Sequence, residues 1–177
     1  QNKLPEGATT QKWAMDYQWA NWSEFGVMKK YIDVAVVGND IYINNPYNEA
    51  PDQWVKGSVE GDKVVFPAYQ LLGADQESSR YLYFRAGNLT KEVTGYYQYS
   101  DADNLTFDYN ADKKTLTTEM PVSFYVSKGY GQRGYTYNYD FPQFAAYNET
   151  VTALQNPSFT LFSDDTIYDD YGYSYMQ

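Results

Sequence analysis

A chain of 177 residues that carries neither cysteine nor histidine has no disulfide, no thiolate nucleophile, no Ser-His-Asp or Cys-His pair, and no zinc site built on Cys or His. Its length suits one domain that buries about 70% of its unfolded surface, so a core is attainable without cross-links. With 13 basic against 23 acidic residues the net charge is −10, which repels duplex phosphate and anionic membrane faces and sets nucleic acid aside as a partner.

Residues 1–10 are polar, with a Pro and a Gly, and read as a linker. No stretch approaches the ~18 apolar residues of a membrane-spanning helix, so no transmembrane segment is expected. No basic and apolar leader opens the chain, and any export signal is expected to lie upstream of it. From residue 13 onward the pattern has period two. Trp13, Met15, Tyr17 and Trp19 alternate with Ala14, Asp16, Gln18 and Ala20, which predicts a strand whose bulky face, Trp13 and Trp19 included, points into a core. Ile32, Val34 and Val36 lead to Gly38-Asn39, and Ile41 and Ile43 return, a two-residue hairpin with its apolar set on the buried face. Val55, Gly57 and Val59 then lead to Gly61-Asp62, with Val64 and Phe66 returning in the same way.

Residues 80–86 and 93–99 are aromatic-rich strand candidates. Leu105, Phe107 and Tyr109 run into a polar turn at 110–113, Leu116 begins the return, and Met120-Pro121 interrupts before a strand over 122–127. A Gly-rich loop over 128–134 precedes Tyr135, Tyr137 and Tyr139, which again alternate with polar residues. Only residues 9–15 and 148–154 have room for a helical turn. Short links between successive strands favour antiparallel neighbours and hence a meander, which must hide its edges. The fold expected is all-β, an antiparallel meander closed into an up-and-down barrel of roughly eight to ten strands in the manner of lipocalins or avidins. A two-sheet sandwich is the alternative. Residues 11–155 form the barrel domain on this reading, and 156–177 a final strand or the start of a following domain.

The chemistry left open by composition is narrow. Acid–base work would fall to carboxylates, and pairs such as Asp101/Asp103 or Asp164/Asp165 are the type a glycoside hydrolase needs. In an acidic chain they read first as solvated turn residues, and no catalytic residue is assigned. Calcium is the one cofactor the composition admits, with Asp101 and Asp103 as ligands and Asn104 and Asp108 nearby. It would be a loop site. An EF-hand starting at Asp101 fails, because its sixth and twelfth positions hold Thr106 and Asp112 rather than Gly and Glu. A second acidic group comprises Asp164, Asp165, Asp169 and Asp170.

The glycines of 129–134 lack the Gly-Lys-Ser/Thr ending of a phosphate loop. As a loop at a barrel mouth they would present Tyr130 and Arg133 to a ligand. The aromatic excess, 21 Tyr, 9 Phe and 4 Trp, is the strongest signal. Trp22 and Trp54 stand near strand ends where exposure is expected, and a flat aromatic face with a polar rim suits the CH face of a sugar. Trp22, Trp54, Tyr130 and Arg133 are therefore the candidate ligand-binding set. Sequons stand at Asn21, Asn88, Asn104 and Asn148.

The segments VVGNDIYIN (36–44), WVKGSVEGDKVVFP (54–67) and QLLG (70–73) resemble a recurring segment of uncharacterised secreted or surface-anchored β-rich proteins of gut Bacteroidetes. Leu105-Thr-Phe-Asp-Tyr109, Thr115 and the Asn156-Pro157 break fit the same layout, and the resemblance spans mainly residues 33–122. That family brings no established activity. The resemblance implies an exported protein at the cell surface, a lipoprotein whose lipid anchor lies upstream of Gln1, with Asp165-Thr166-Ile167 as an O-glycosylation pattern. The function expected is a non-catalytic extracellular binding or accessory module, with a glycan as ligand. The alternatives are a structural or protein-interaction domain meeting a surface protein partner, and a carboxylate-dependent glycoside hydrolase.

Overall fold

The computed structural model describes residues 1–20, 25–91, 97–129 and 136–147. Those residues are all-β, with no helix and hence none long and apolar enough to cross a membrane. Twelve strands follow in order: β1 (Gln11–Ala20), β2 (Phe25–Val37), β3 (Asp40–Asn44), β4 (Trp54–Glu60), β5 (Lys63–Pro67), β6 (Gln70–Ala74), β7 (Tyr81–Lys91), β8 (Tyr97–Ala102), β9 (Asn104–Asn110), β10 (Thr115–Thr117), β11 (Val122–Lys128) and β12 (Thr136–Ala146).

Eight of them close a ring, β1-β2-β3-β4-β5-β9-β10-β12, sealed by antiparallel pairing of β12 back onto β1. The expected antiparallel barrel is the fold. Its order leaves a simple meander after β5, which pairs β9 from Lys63 opposite Asp108 to Pro67 opposite Asn104. Tyr69, at φ 59, stands in the turn that sends β6, β7 and β8 outside the ring. These strands and β11 form a further wall: β7 pairs β6, β8 and β11, and β11 pairs the first half of β12. The exchange of partners along β12 falls at Phe141-Pro142. Residues 136–140 pair β11 and residues 144–145 pair β10, Phe141 takes φ 50, and Pro142 has no N–H for either ladder.

A side chain completes the wall at the other seam. Gln70 of β6 offers its amide to the open edge of β4, accepting from Lys56 N at 2.9 Å and donating to Lys56 O at 2.9 Å. That replaces one rung of a β-ladder and satisfies backbone groups that would otherwise compete for water.

Alternation explains the core. Trp13, Met15, Ile32, Val34, Ile41, Ile43, Val55, Val64, Phe66, Leu105, Phe107 and Phe144 from the ring are buried together with Leu72, Leu82, Phe84, Phe124 and Val126 from the outer wall. Val36 is a correction. It faces the same way as its partner Ile41, yet it is 46% exposed while Ile41 is fully buried. The last rung between β1 and β2 is Gln11 with Val34, so Val36 projects past the end of β1 and has a neighbour on one side alone. Val59 is half-buried at the core's margin.

Both expected hairpins are two-residue turns, with Gly38 at φ 60 and Gly61 at φ 67. Neither Asn39 nor Asp62 has positive φ, which is the type II′ pattern. A Cβ on either glycine would meet nothing within 4 Å, so the need for glycine is conformational. Gly61→Val is expected to cost about 1–3 kcal/mol through a β-branched residue held at positive φ. Urea unfolding measures it, and an unchanged midpoint would contradict the turn assignment.

At the β11–β12 junction Asp140 is 7% exposed and accepts from Ser123 Oγ at 2.6 Å. Burial pushes its carboxyl above the ordinary range, against the opposing pull of hydrogen bonds from Ser123 and Asn138. A raised folded value means that its contribution is complete below the unfolded pKa of about 3.9 and is lost as pH rises through the folded value. Asp140→Asn should therefore lose less thermal stability than wild type between pH 4 and neutrality. Equal losses in a pair of melting series would contradict this.

Candidate functional site: a tyrosine strip on the outer wall

On β7 the inward residues are Leu82, Phe84 and Ala86, all core, so period two turns Tyr81, Tyr83, Arg85, Gly87 and Leu89 outward. Neighbouring strands add to that face. Tyr125 of β11 stands opposite Arg85, and on β8 Asp101 stands opposite Gly87 and Tyr99 opposite Leu89. Tyr69 enters from the turn before β6.

Arg85 lies at the centre. Its side chain is 3% exposed, its Nη2 donates to Asp101 Oδ1 at 2.6 Å, and Tyr69 lies over the guanidinium with its ring centroid 4.8 Å away. Tyr69 in turn meets Tyr83 edge-to-face at 6.3 Å. Tyr99 stacks on Tyr125 with centroids 3.7 Å apart and planes at 19°. It can lie there because Gly87 has no side chain: a Cβ at that position would overlap the Tyr99 ring. Tyr99 Oη donates to Asp101 Oδ1 at 2.7 Å. Burial and then that bond raise its pKa, so the phenol stays a donor. Tyr97 and Phe141 continue the row edge-to-face at 5.2 Å.

The strip runs from Tyr81 to the level of Lys91, which pairs with Tyr97, eleven residues of strand whose rise spans about 33 Å. Tyr81 is 56% exposed, Tyr97 41% and Tyr69 36%. It is an aromatic surface whose buried cation, Arg85, is already paired with Asp101.

The barrel end near Lys128 is built differently. Tyr47 and Tyr137 stack at 3.7 Å, with Tyr47 Oη donating to Tyr137 Oη at 3.0 Å. That bond, with burial, pushes the Tyr47 phenol up to about 12. Asp75 accepts from Ser78 Oγ at 2.6 Å and pairs with Lys128 at 3.2 Å. Burial alone would raise its carboxyl, but the bonds from Ser78, Lys128 and the Glu77 amide hold it below the ordinary value. These groups satisfy one another, and the Lys128 ammonium lies 5.8 Å from the Tyr137 ring. A separate open groove of about 360 Å³ follows the β4–β6 seam, lined by Gln1, Asn2, Lys56, Ser58, Pro67, Gln70 and Leu71.

Of the residues singled out in the sequence, Trp22, Tyr130, Arg133 and the Asp164/Asp165 pair lie outside the described residues, as do the Trp19 side chain and residues 156–177. Trp54 is a correction: it is 4% exposed rather than open. It faces outward from β4 and clusters with Ala35 and Tyr42, against which Leu4 packs, while Asn2 Nδ2 donates to its carbonyl at 3.1 Å. Residues 1–4 thus lie against the sheet. Trp13 is core, as expected.

Asp101 is engaged by Arg85 and Tyr99, and the Asp103 carbonyl accepts from Ala68 N at 2.9 Å. Among the described residues no three acidic side chains cluster. The strip residues Tyr69, Tyr81, Tyr83, Arg85, Tyr99 and Tyr125 were not singled out, although Tyr-Leu-Tyr-Phe-Arg from Tyr81 to Arg85 carries the period-two signal of a strand with an aromatic outer face.

Comparison of the chain with protein-family models, with curated proteins and with solved structures returns no match. Fold and surface together define a closed eight-stranded antiparallel barrel with a second wall that carries an aromatic strip.

Proposed function

We propose that this chain is a non-catalytic extracellular binding module whose ligand is a glycan lying on the tyrosine strip. The observation that carries this reading is the alignment of Tyr69, Tyr81, Tyr83 and Tyr99 on one outward face, with three of the strip's rings at least a third exposed. Phenol rings offer an apolar face to sugar CH groups and a hydroxyl to sugar oxygens. The strip's carboxylate is Asp101, already bonded to Arg85 and Tyr99, whereas glycoside hydrolysis needs two carboxyls across the bond. The resemblance of residues 33–122 to surface-anchored proteins favours a location outside the cell, held by a lipid anchor upstream.

Electrophoresis through gels containing soluble polysaccharides tests the reading. Wild type should be retarded, and Tyr69→Ser with Tyr81→Ser should migrate as in a plain gel while still unfolding cooperatively, with a melting temperature lowered only by the lost contacts of Tyr69 with Arg85 and Tyr83. Retardation that survives both substitutions would contradict it. β8 favours a second reading, since its one partner among the described residues is β7. An open edge accepts a strand from a protein partner, and that interaction would be indifferent to the two serine substitutions.

A further inference from the structure

We infer that the ligand of the tyrosine strip is an uncharged, extended polysaccharide held along its internal units; this rests on the glycan reading above. Charge carries the first half. Arg85, the strip's buried cation, is 3% exposed on its side chain, capped by Tyr69 and bonded to Asp101. Its charge therefore serves the wall. Asp101 is 55% exposed on its side chain and sets a carboxylate at the middle of the row. A uronate or sulfate laid across the Arg85–Asp101 pair would approach its exposed carboxylate more closely than its covered guanidinium, on a chain with net charge −10, and ions screen little within about 8 Å. Hydroxyls of a neutral sugar instead find an acceptor in the exposed carboxylate of Asp101 and another in the Tyr99 oxygen, whose own proton already goes to Asp101.

Shape carries the second half. The row follows one strand for about 33 Å and ends in exposed rings, Tyr81 at one limit and Tyr97 at the other. Among the described residues the row carries an exposed ring at each limit, which suits a chain that runs along it. Each added sugar reaches a further ring, so affinity grows with length until the row is covered. The holding energy is spread over several modest stacking contacts.

The test uses the whole chain, with xylan, galactomannan, hydroxyethylcellulose and starch as neutral polymers, polygalacturonate as the charged one, and oligomers from the dimer upward of any polymer that is retained. At least one neutral polymer should bind, with affinity rising about tenfold or more from the dimer to the longest oligomer and then levelling. Binding should change little with added salt, and polygalacturonate should not bind. Tyr69→Ser with Tyr81→Ser should abolish retention. If polygalacturonate binds as well or better and the serine variant loses it, the glycan reading stands and the inference falls. A dimer that binds as tightly as longer oligomers also overturns it. Retention of a neutral polymer that the serine variant keeps, or no retention of any polymer, overturns both.

Discussion

Replacing Phe124 by alanine is expected to cost about 3–5 kcal/mol. The ring is fully buried and lies 4.7 Å from Phe84, 6.1 Å from Tyr139 and 6.4 Å from Phe144, centroid to centroid. Phe84 belongs to the outer wall and Phe144 to the ring, so Phe124 joins the two halves of the core. The neighbours stand on strands fixed by their ladders and cannot fall inward to fill the space, which is the condition under which truncation costs most. Against the 5–15 kcal/mol typical of a whole domain, such a loss brings the chain near unfolding. Urea denaturation gives the size of the effect. Hydrogen exchange should show β7 and β11 opening before β2 and β3, and a loss under about 1 kcal/mol would mean that the outer wall is not part of the core.

Gly57→Ala is expected to cost about 3 kcal/mol, at the upper end for overpacking by one methyl group. Gly57 takes an inward position of β4, and a Cβ there would lie 2.6 and 2.7 Å from two carbons of the Phe66 ring. Phe66 is fully buried and braced edge-to-face by Phe107 at 5.8 Å, so the ring has nowhere to retreat. The cause can be isolated with a double substitution. Gly57→Ala with Phe66→Leu should be less damaging than the sum of the two single changes, because each relieves the other. Strict additivity in urea denaturation would show that the methyl group and the ring do not collide.

The period-two signal made most of the ring legible. The Gly38 and Gly61 turns, the inward faces of β1 to β5 and the burial of Trp13 all follow from alternation plus the conformational demand of a two-residue turn. Legibility ended where the deciding neighbour is distant in sequence. Val36 alternates like Val34, and nothing local tells that β1 begins two residues short of pairing with it. Trp54 reads as a strand-end aromatic open to solvent, but it is buried in a cluster with Ala35 and Tyr42 against which Leu4, fifty residues earlier, packs.

The pairing of β5 with β9 spans a long excursion that local pattern does not encode, and with it the second wall. The candidate site shares that limit. Tyr81, Tyr83 and Arg85 sit on one face by simple alternation, whereas Tyr69, Tyr99 and Tyr125 join them through pairings with β6, β8 and β11. The one local hint is Gly87, a glycine inside an aromatic strand, which marks the place where another ring approaches closely.

The most direct test of glycan binding on the tyrosine strip is fluorine NMR of the chain labelled with 3-fluorotyrosine, titrated with an oligomer of the neutral polysaccharide that retards it best. Resonances assigned by single Tyr→Phe substitutions should show Tyr69, Tyr81, Tyr83 and Tyr99 shifting together and saturating at one ligand concentration, while Tyr17 and Tyr139 in the core stay in place. Shifts confined to Tyr47 and Tyr137 at the barrel mouth, or no shifts at all, would contradict it.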